Sequence, residues 1–156
     1  MMSSEAPGSI RLRGRKISGG QAEGEALVAR TRLSFWGGFD PATGMITEKG
    51  NPLEGQTLKN RIVVFISTKG SSGTSNMLNL AKRFGAQPAA FINTELDCLA
   101  VIGCQIHGIP MVTDLDQDPF SVIKTGDWVK VDADRGLVEV SERRPVILAP
   151  GAQELQ

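Results

Sequence analysis

The sequence predicts a single α/β domain with a compact, barrel-like or sandwiched sheet and two or more helices. Three observations predict it. Short unbroken apolar runs at 61–66, 89–92 and 111–112 have the pattern of strands buried on both faces. The stretches between them have helical spacing and end on glycine. Both ends of the chain alternate apolar and polar residues, as strands with one wet face do.

Taken in order, residues 1–8 read as a lead-in. Ile10 and Leu12 alternate with Arg11, Arg13 and Arg15 in a strand over 9–17 that Gly19-Gly20 breaks. Residues 25–29 read as its hairpin partner. Leu33 to Gly44 is an aromatic, glycine-rich loop with turn chemistry at Asp40-Pro41 and Gly44. Residues 47–60 read as an exposed connection. After the strand at 61–66, a helix is expected over 76–84, with Met77, Leu80, Ala81 and Phe84 on one face and Gly85 as its stop. A second helix is expected over 96–106, ended by Gly108 and Pro110. Trp128–Val131 and Leu137–Val140 flank Asp134-Arg135-Gly136 as a closing hairpin. Residues 9–145 form the expected domain, and 1–8 and 146–156 its tails.

Composition narrows the function classes. The chain has 156 residues, and one of about that size buries roughly 70% of its unfolded surface, enough for a core without disulfide or metal. Lys+Arg and Asp+Glu balance at 17 each, which argues against nonspecific nucleic-acid binding. No apolar run reaches the length of a membrane span. Met1–Pro7 lacks the apolar core of a signal peptide. Two cysteines make no disulfide framework. The expectation is a cytoplasmic protein with reduced thiols.

The segment with the most chemistry is Lys69-Gly70-Ser71-Ser72-Gly73-Thr74-Ser75, between a buried strand and a helix. Gly70 and Gly73 allow a sharp turn and close approach to a ligand. The helix start offers unpaired N–H groups and the positive end of its dipole. With Lys69 and four hydroxyls this makes a carboxylate or phosphate cradle, set against the plainer reading of a strand-to-helix turn in which Ser75 caps the helix. The segment lacks the Gly-Lys-Ser/Thr triplet of a P-loop and the Gly-x-Ser-x-Gly of a nucleophile elbow. His107, the single histidine, reads as a residue of a helix end rather than a catalyst. Cys98 and Cys104, six apart, read as buried and inert. Asp114, Asp116 and Asp118 read as a polar turn, because EF-hand spacing is missing. Trp36 and Phe39 read as core or partner contacts.

Leu33-Ser34-Phe35-Trp36-Gly37-Gly38 with Asp40-Pro41 and Thr43-Gly44, the serine loop 69–75, Gly108-Ile109-Pro110-Met111-Val112 and the stretch from Gly126-Asp127 to Val140 together resemble the aconitase X small subunit. The resemblance implies a swivelling β/β/α domain made as a separate chain. It also implies a heterodimer with a large subunit that holds an iron–sulfur cluster. This chain would bind no metal itself, consistent with its lack of a cysteine triplet. The implied reaction dehydrates a small hydroxy acid. Ser71 is the implied proton acceptor, and Lys69, Gly70, Ser72, Gly73 and Thr74 line the substrate. Part of the Phe35–Phe39 loop is expected to be buried against the large subunit. A composition not rich in Lys and Glu carries no hyperthermophile signal. That favours a bacterial member acting on cis-3-hydroxy-L-proline, with mevalonate 5-phosphate as the alternative; a non-enzymatic anion-binding module is the competing class.

Overall fold

The computed structural model describes residues 9–142. The expected tails at 1–8 and 146–156, and the domain's last residues at 143–145, lie outside the described residues.

In chain order the strands are β1 (Ile10–Arg13), β2 (Arg15–Ser18), β3 (Gln21–Val28), β4 (Arg32–Leu33), β5 (Phe39–Asp40), β6 (Met45–Ile46), β7 (Ile62–Phe65), β8 (Ser67–Thr68), β9 (Ala90–Asn93), β10 (Met111–Thr113), β11 (Trp128–Asp132) and β12 (Leu137–Ser141). The helices are α1 (Gly73–Arg83), α2 (Cys98–His107) and the short α3 (Pro119–Val122). Eight strands form one sheet in the order β1-β12-β11-β3-β7-β9-β10-β2. Its edge strands β1 and β2 are consecutive in the chain, so the sheet nearly closes into a barrel. The predicted fold class is therefore the observed one.

The expected N-terminal hairpin does not form. The alternation over 9–17 marks a strand but does not choose its partner. Gly14 divides it: β1 pairs with β12 and β2 with β10, while β3 pairs with β11 and β7. The kink depends on close approach. A Cβ on Gly14 would lie 2.5 Å from the Thr113 carbonyl oxygen, and the Gly14 N–H donates to the Gly136 carbonyl at 2.8 Å.

The middle of the sheet, β3-β7-β9-β10, is parallel. Its strands are apolar throughout because alternate residues feed two cores. Ala26, Ile62, Val64, Ala90, Ile92 and Val112 join Leu12, Val129 and Val138 in one core. Leu27, Val63, Phe65, Phe91 and Met111 face the other, with Leu78 and Ala81 of α1 and Ala100 and Cys104 of α2.

The buried face of α1 is Thr74, Leu78 and Ala81, rather than the expected row with Leu80 and Phe84. The helix starts three residues earlier than expected, and Phe84 is exposed at its C-cap. Gly85 stops it as expected, with φ 71°. The connection at 47–60 is exposed only in part, since Leu53 and Leu58 anchor it in the core. The polar turn before Pro119 starts α3: Asp118 accepts the Phe120 N–H at 3.0 Å, with Pro119 in the first turn.

Candidate functional site

The serine loop leaves β8 at the carboxyl ends of parallel β7 and β9, the end at which parallel α/β sheets and barrels alike bind ligands. Its base is tied down twice. The Lys69 N–H donates to the Leu33 carbonyl at 2.9 Å. The Thr68 hydroxyl donates to Asp97 Oδ2, and a Cβ on Gly70 would lie 3.2 Å from Asp97 Oδ1. Asp97 is the N-cap of α2, so the start of one helix braces the loop that starts the other. Sequence reasoning passed over Asp97, although an Asp directly before a helix is a capping signal.

At the tip, Ser71 Oγ accepts the Gly73 N–H at 3.1 Å, and the Thr74 N–H donates to the Ser71 carbonyl at 3.1 Å. The first free N–H groups of α1 thus close on Ser71 itself. Ser72 occupies the N-cap position, is exposed, and its hydroxyl makes no capping bond. Ser75 is not the cap. It lies inside α1, with its Oγ 3.2 Å from His107 Nε2, tying α1 to the end of α2. Thr74 is fully buried and its Oγ1 has no hydrogen-bond partner, so as placed it does not present its hydroxyl at the surface. Lys69 is half exposed, and its ammonium pairs with the Glu48 carboxylate.

The aromatic loop divides by residue. Phe35 and Phe39 are core residues, with ring centroids 4.9 Å apart, and Phe35 lies 5.9 Å from Phe91. They form no exposed patch, contrary to expectation, because the Phe91 face of β9 leaves room for them. Trp36 alone points outward, 59% exposed. Its ring lies over Gly73, where a Cβ would come within 2.4 Å of it. The glycine at the helix start is needed to seat this indole.

The two thiols differ, contrary to the expectation that both are buried. Cys98, in the first turn of α2, is exposed. Cys104 is buried, and burial pushes its thiol up to about 12. They do not fit a cluster site, and among the described residues no group of three or more His, Cys, Asp or Glu side chains converges to hold a metal. Asp114 pairs with Arg15 at 3.0 Å, Asp116 accepts the Arg13 N–H at 3.1 Å, and Asp118 pairs with Arg30 at 3.2 Å. The Phe120 N–H, then Arg30 and Ser121, hold the Asp118 carboxyl below its ordinary value. No helix among the described residues is long and apolar enough to cross a membrane.

Comparisons with known proteins bear on the family and the fold. Residues 11–140 match the family model described as the aconitase X swivel domain. The chain is 41% identical over 132 residues to the phosphomevalonate dehydratase small subunit of Methanocella arvoryzae, covering 85% of this chain and 100% of that protein. It is 39% identical over 135 residues to the protein of the same name from Methanococcoides burtonii, covering 86% and 98%. The crystal structure of Thermococcus kodakaraensis aconitase X in its holo-form superposes with a TM-score of 0.79 at 43% identity, covering 85% of this chain and 99% of that one. With its near-closed sheet, its serine loop at the parallel-strand ends and a family match across almost every described residue, this chain belongs to the aconitase X swivel-domain family.

Proposed function

We propose that this chain is the small subunit of an aconitase X-type dehydratase acting on mevalonate 5-phosphate, with Ser71 as proton acceptor. The observation that carries the chemistry is the Gly73 N–H donated to Ser71 Oγ at 3.1 Å. A serine hydroxyl is a weak base and works only where its charged form is stabilised. Here a backbone N–H and the positive end of α1 face the oxygen on which negative charge develops. Ser71 Oγ, as its alkoxide, takes a proton from a substrate carbon; the C–H electron pair forms the new C=C bond as the C–O bond on the adjacent carbon breaks, and the hydroxide released, together with that proton, makes up the one water lost. The exposed Ser72 hydroxyl and the positive end of the α1 dipole, rather than the Gly73 and Thr74 N–H groups that already bond to Ser71, favour an anionic group of the substrate. Gly70 supplies close approach, and Lys69, shared with Glu48, adds positive charge at the rim. Thr74 supports the loop from beneath.

The iron–sulfur cluster belongs to the large subunit in this reading, since Cys98 and Cys104 do not form a ligand set. The reading places the enzyme in the cytoplasm, where thiols stay reduced.

On substrate, the relatives' names support mevalonate 5-phosphate over the sequence-based preference for cis-3-hydroxy-L-proline. That preference rested on composition, which reports growth temperature rather than the shape of a site. The test is to co-express the chain with its large subunit and assay both compounds. Turnover of mevalonate 5-phosphate, abolished by Ser71→Ala in an intact complex, is expected. Turnover of cis-3-hydroxy-L-proline alone would reverse the substrate assignment, and a fully active Ser71→Ala complex would remove Ser71 from the chemistry.

A further inference from the structure

Helix α2 is apolar on both faces apart from exposed Gln105, whose amide donates to the Ile17 carbonyl at 2.8 Å. From Cys98 to Ile106 it carries no charged side chain. Ala100, Gly103 and Cys104 are buried against the core and α1. On the outer side Leu99, Ile102 and Ile106 are 36%, 49% and 65% exposed, and Leu96, just before the helix, is 41% exposed. Spacings of three and four place Leu99, Ile102 and Ile106 in one stripe, and Leu96 lies in the chain that leads into it. From Leu99 to Ile106 it runs about 10 Å at the ordinary helical rise. A soluble helix normally turns charge toward water on its outer face, and one that is apolar all round is covered on both sides.

We infer that this stripe is the docking surface for the large subunit, which rests on the reading of the chain as a small subunit. The stripe is continuous with the reactive loop. Leu96 leads into it beside Asp97, whose carboxylate holds Thr68 and abuts Gly70, the neighbour of Ser71. A subunit that brings substrate to Ser71 Oγ therefore passes over the start of α2 and covers its outer face. A partner with an apolar groove free of charge fits it. A second copy of this chain would cover α2 without placing substrate at Ser71.

The complex with the large subunit tests this. The double variant Ile102→Glu/Ile106→Glu is expected to bind the large subunit at least a hundredfold more weakly. Its isolated chain should keep the parent's circular dichroism and unfolding midpoint, because both side chains are exposed. If that variant does not fold, Ile102→Ala/Ile106→Ala serves, with at least a tenfold weaker complex expected. A maleimide should label the exposed Cys98 in the free chain and much more slowly in the complex, while buried Cys104 stays silent in both. Parental affinity in the folded variant, or equal labelling of Cys98 in both states, overturns the inference. So does a self-dimer of the isolated chain that the variant breaks while the hetero-complex survives. The chemistry is judged separately: normal turnover by Ser71→Ala removes the proposed base, whereas loss of assembly in the α2 variant bears on docking alone.

Discussion

The neighbouring helices α1 and α2 each follow a buried parallel strand, and each starts at the same end of the sheet. They serve different needs. α1 begins on glycine and serine, and its first N–H groups close on Ser71. Its outer side carries Asn76, Lys82 and Arg83, with Phe84 as the exposed apolar exception at the cap. α2 begins on Asp97, whose carboxylate is already taken by Thr68, and its outer side is Leu99, Ile102 and Ile106. In the proposed reading α1 offers its N-terminus to an anion, and small residues leave room there. A helix that offers its flank needs apolar side chains and a partner.

The largest expected effect contrasts two serines of the α1 region. Ser71→Ala should lower turnover of the assembled enzyme by about a hundred- to ten-thousand-fold, the range for a positioned proton acceptor. Ser75→Ala removes only the contact with His107 and should cost about 1 kcal/mol of stability with turnover nearly unchanged. If Ser75→Ala proves the more damaging to turnover in a folded complex, the division of labour along the loop is wrong.

A second contrast sets the inner row of α1 against the outer row of α2. Leu78 is fully buried, and Leu78→Ala should destabilise the isolated chain by about 2–5 kcal/mol in urea unfolding. Ile106→Ala, on a side chain that is 65% exposed, should change that stability by no more than about 0.5 kcal/mol. A large loss at Ile106 in the isolated chain would mean that its stripe already packs within this chain.

The smallest expected effect concerns the inner face of α2. The Cys104 thiol titrates higher in the folded chain than its ordinary 9.0. Folding therefore favours the protonated form. Its contribution is complete below about pH 9, where both states hold the proton, and falls as pH rises from 9 toward 12, where only the unfolded thiol releases it. Cys104→Ala should flatten that alkaline loss relative to the parent, measured as the urea midpoint against pH. An identical slope in both proteins would show that Cys104 is not shielded as placed.

Much of this was legible in the sequence. The runs at 61–66, 89–92 and 111–112, the two central helices, the glycine stops at Gly85 and Gly108 and the closing hairpin are local signals, and they appear within a few residues of their expected positions. The serine loop was legible as a possible anion cradle because glycine, hydroxyls and a helix start are all local. Its internal bonding was not. Which serine accepts an N–H depends on where α1 begins, and a shift of three residues moved the cap from Ser75 to Ser72 and placed Ser71 over Gly73.

By itself the sequence determined the long central strands, the two longer helices and their glycine stops, and that a glycine- and serine-rich loop leads into α1, because backbone preference and hydrophobic period act over a few neighbours; the two-residue strands β4, β5, β6 and β8 carry too few residues for such a period. Only the tertiary structure decided that β1 pairs with β12 rather than β3, that Phe35 turns inward and Trp36 outward over Gly73, that Asp97 braces Gly70, and that Cys98 is exposed while Cys104 is not. Each of these depends on the space left by residues distant in sequence, and that space exists only once the sheet has curled and both cores are filled.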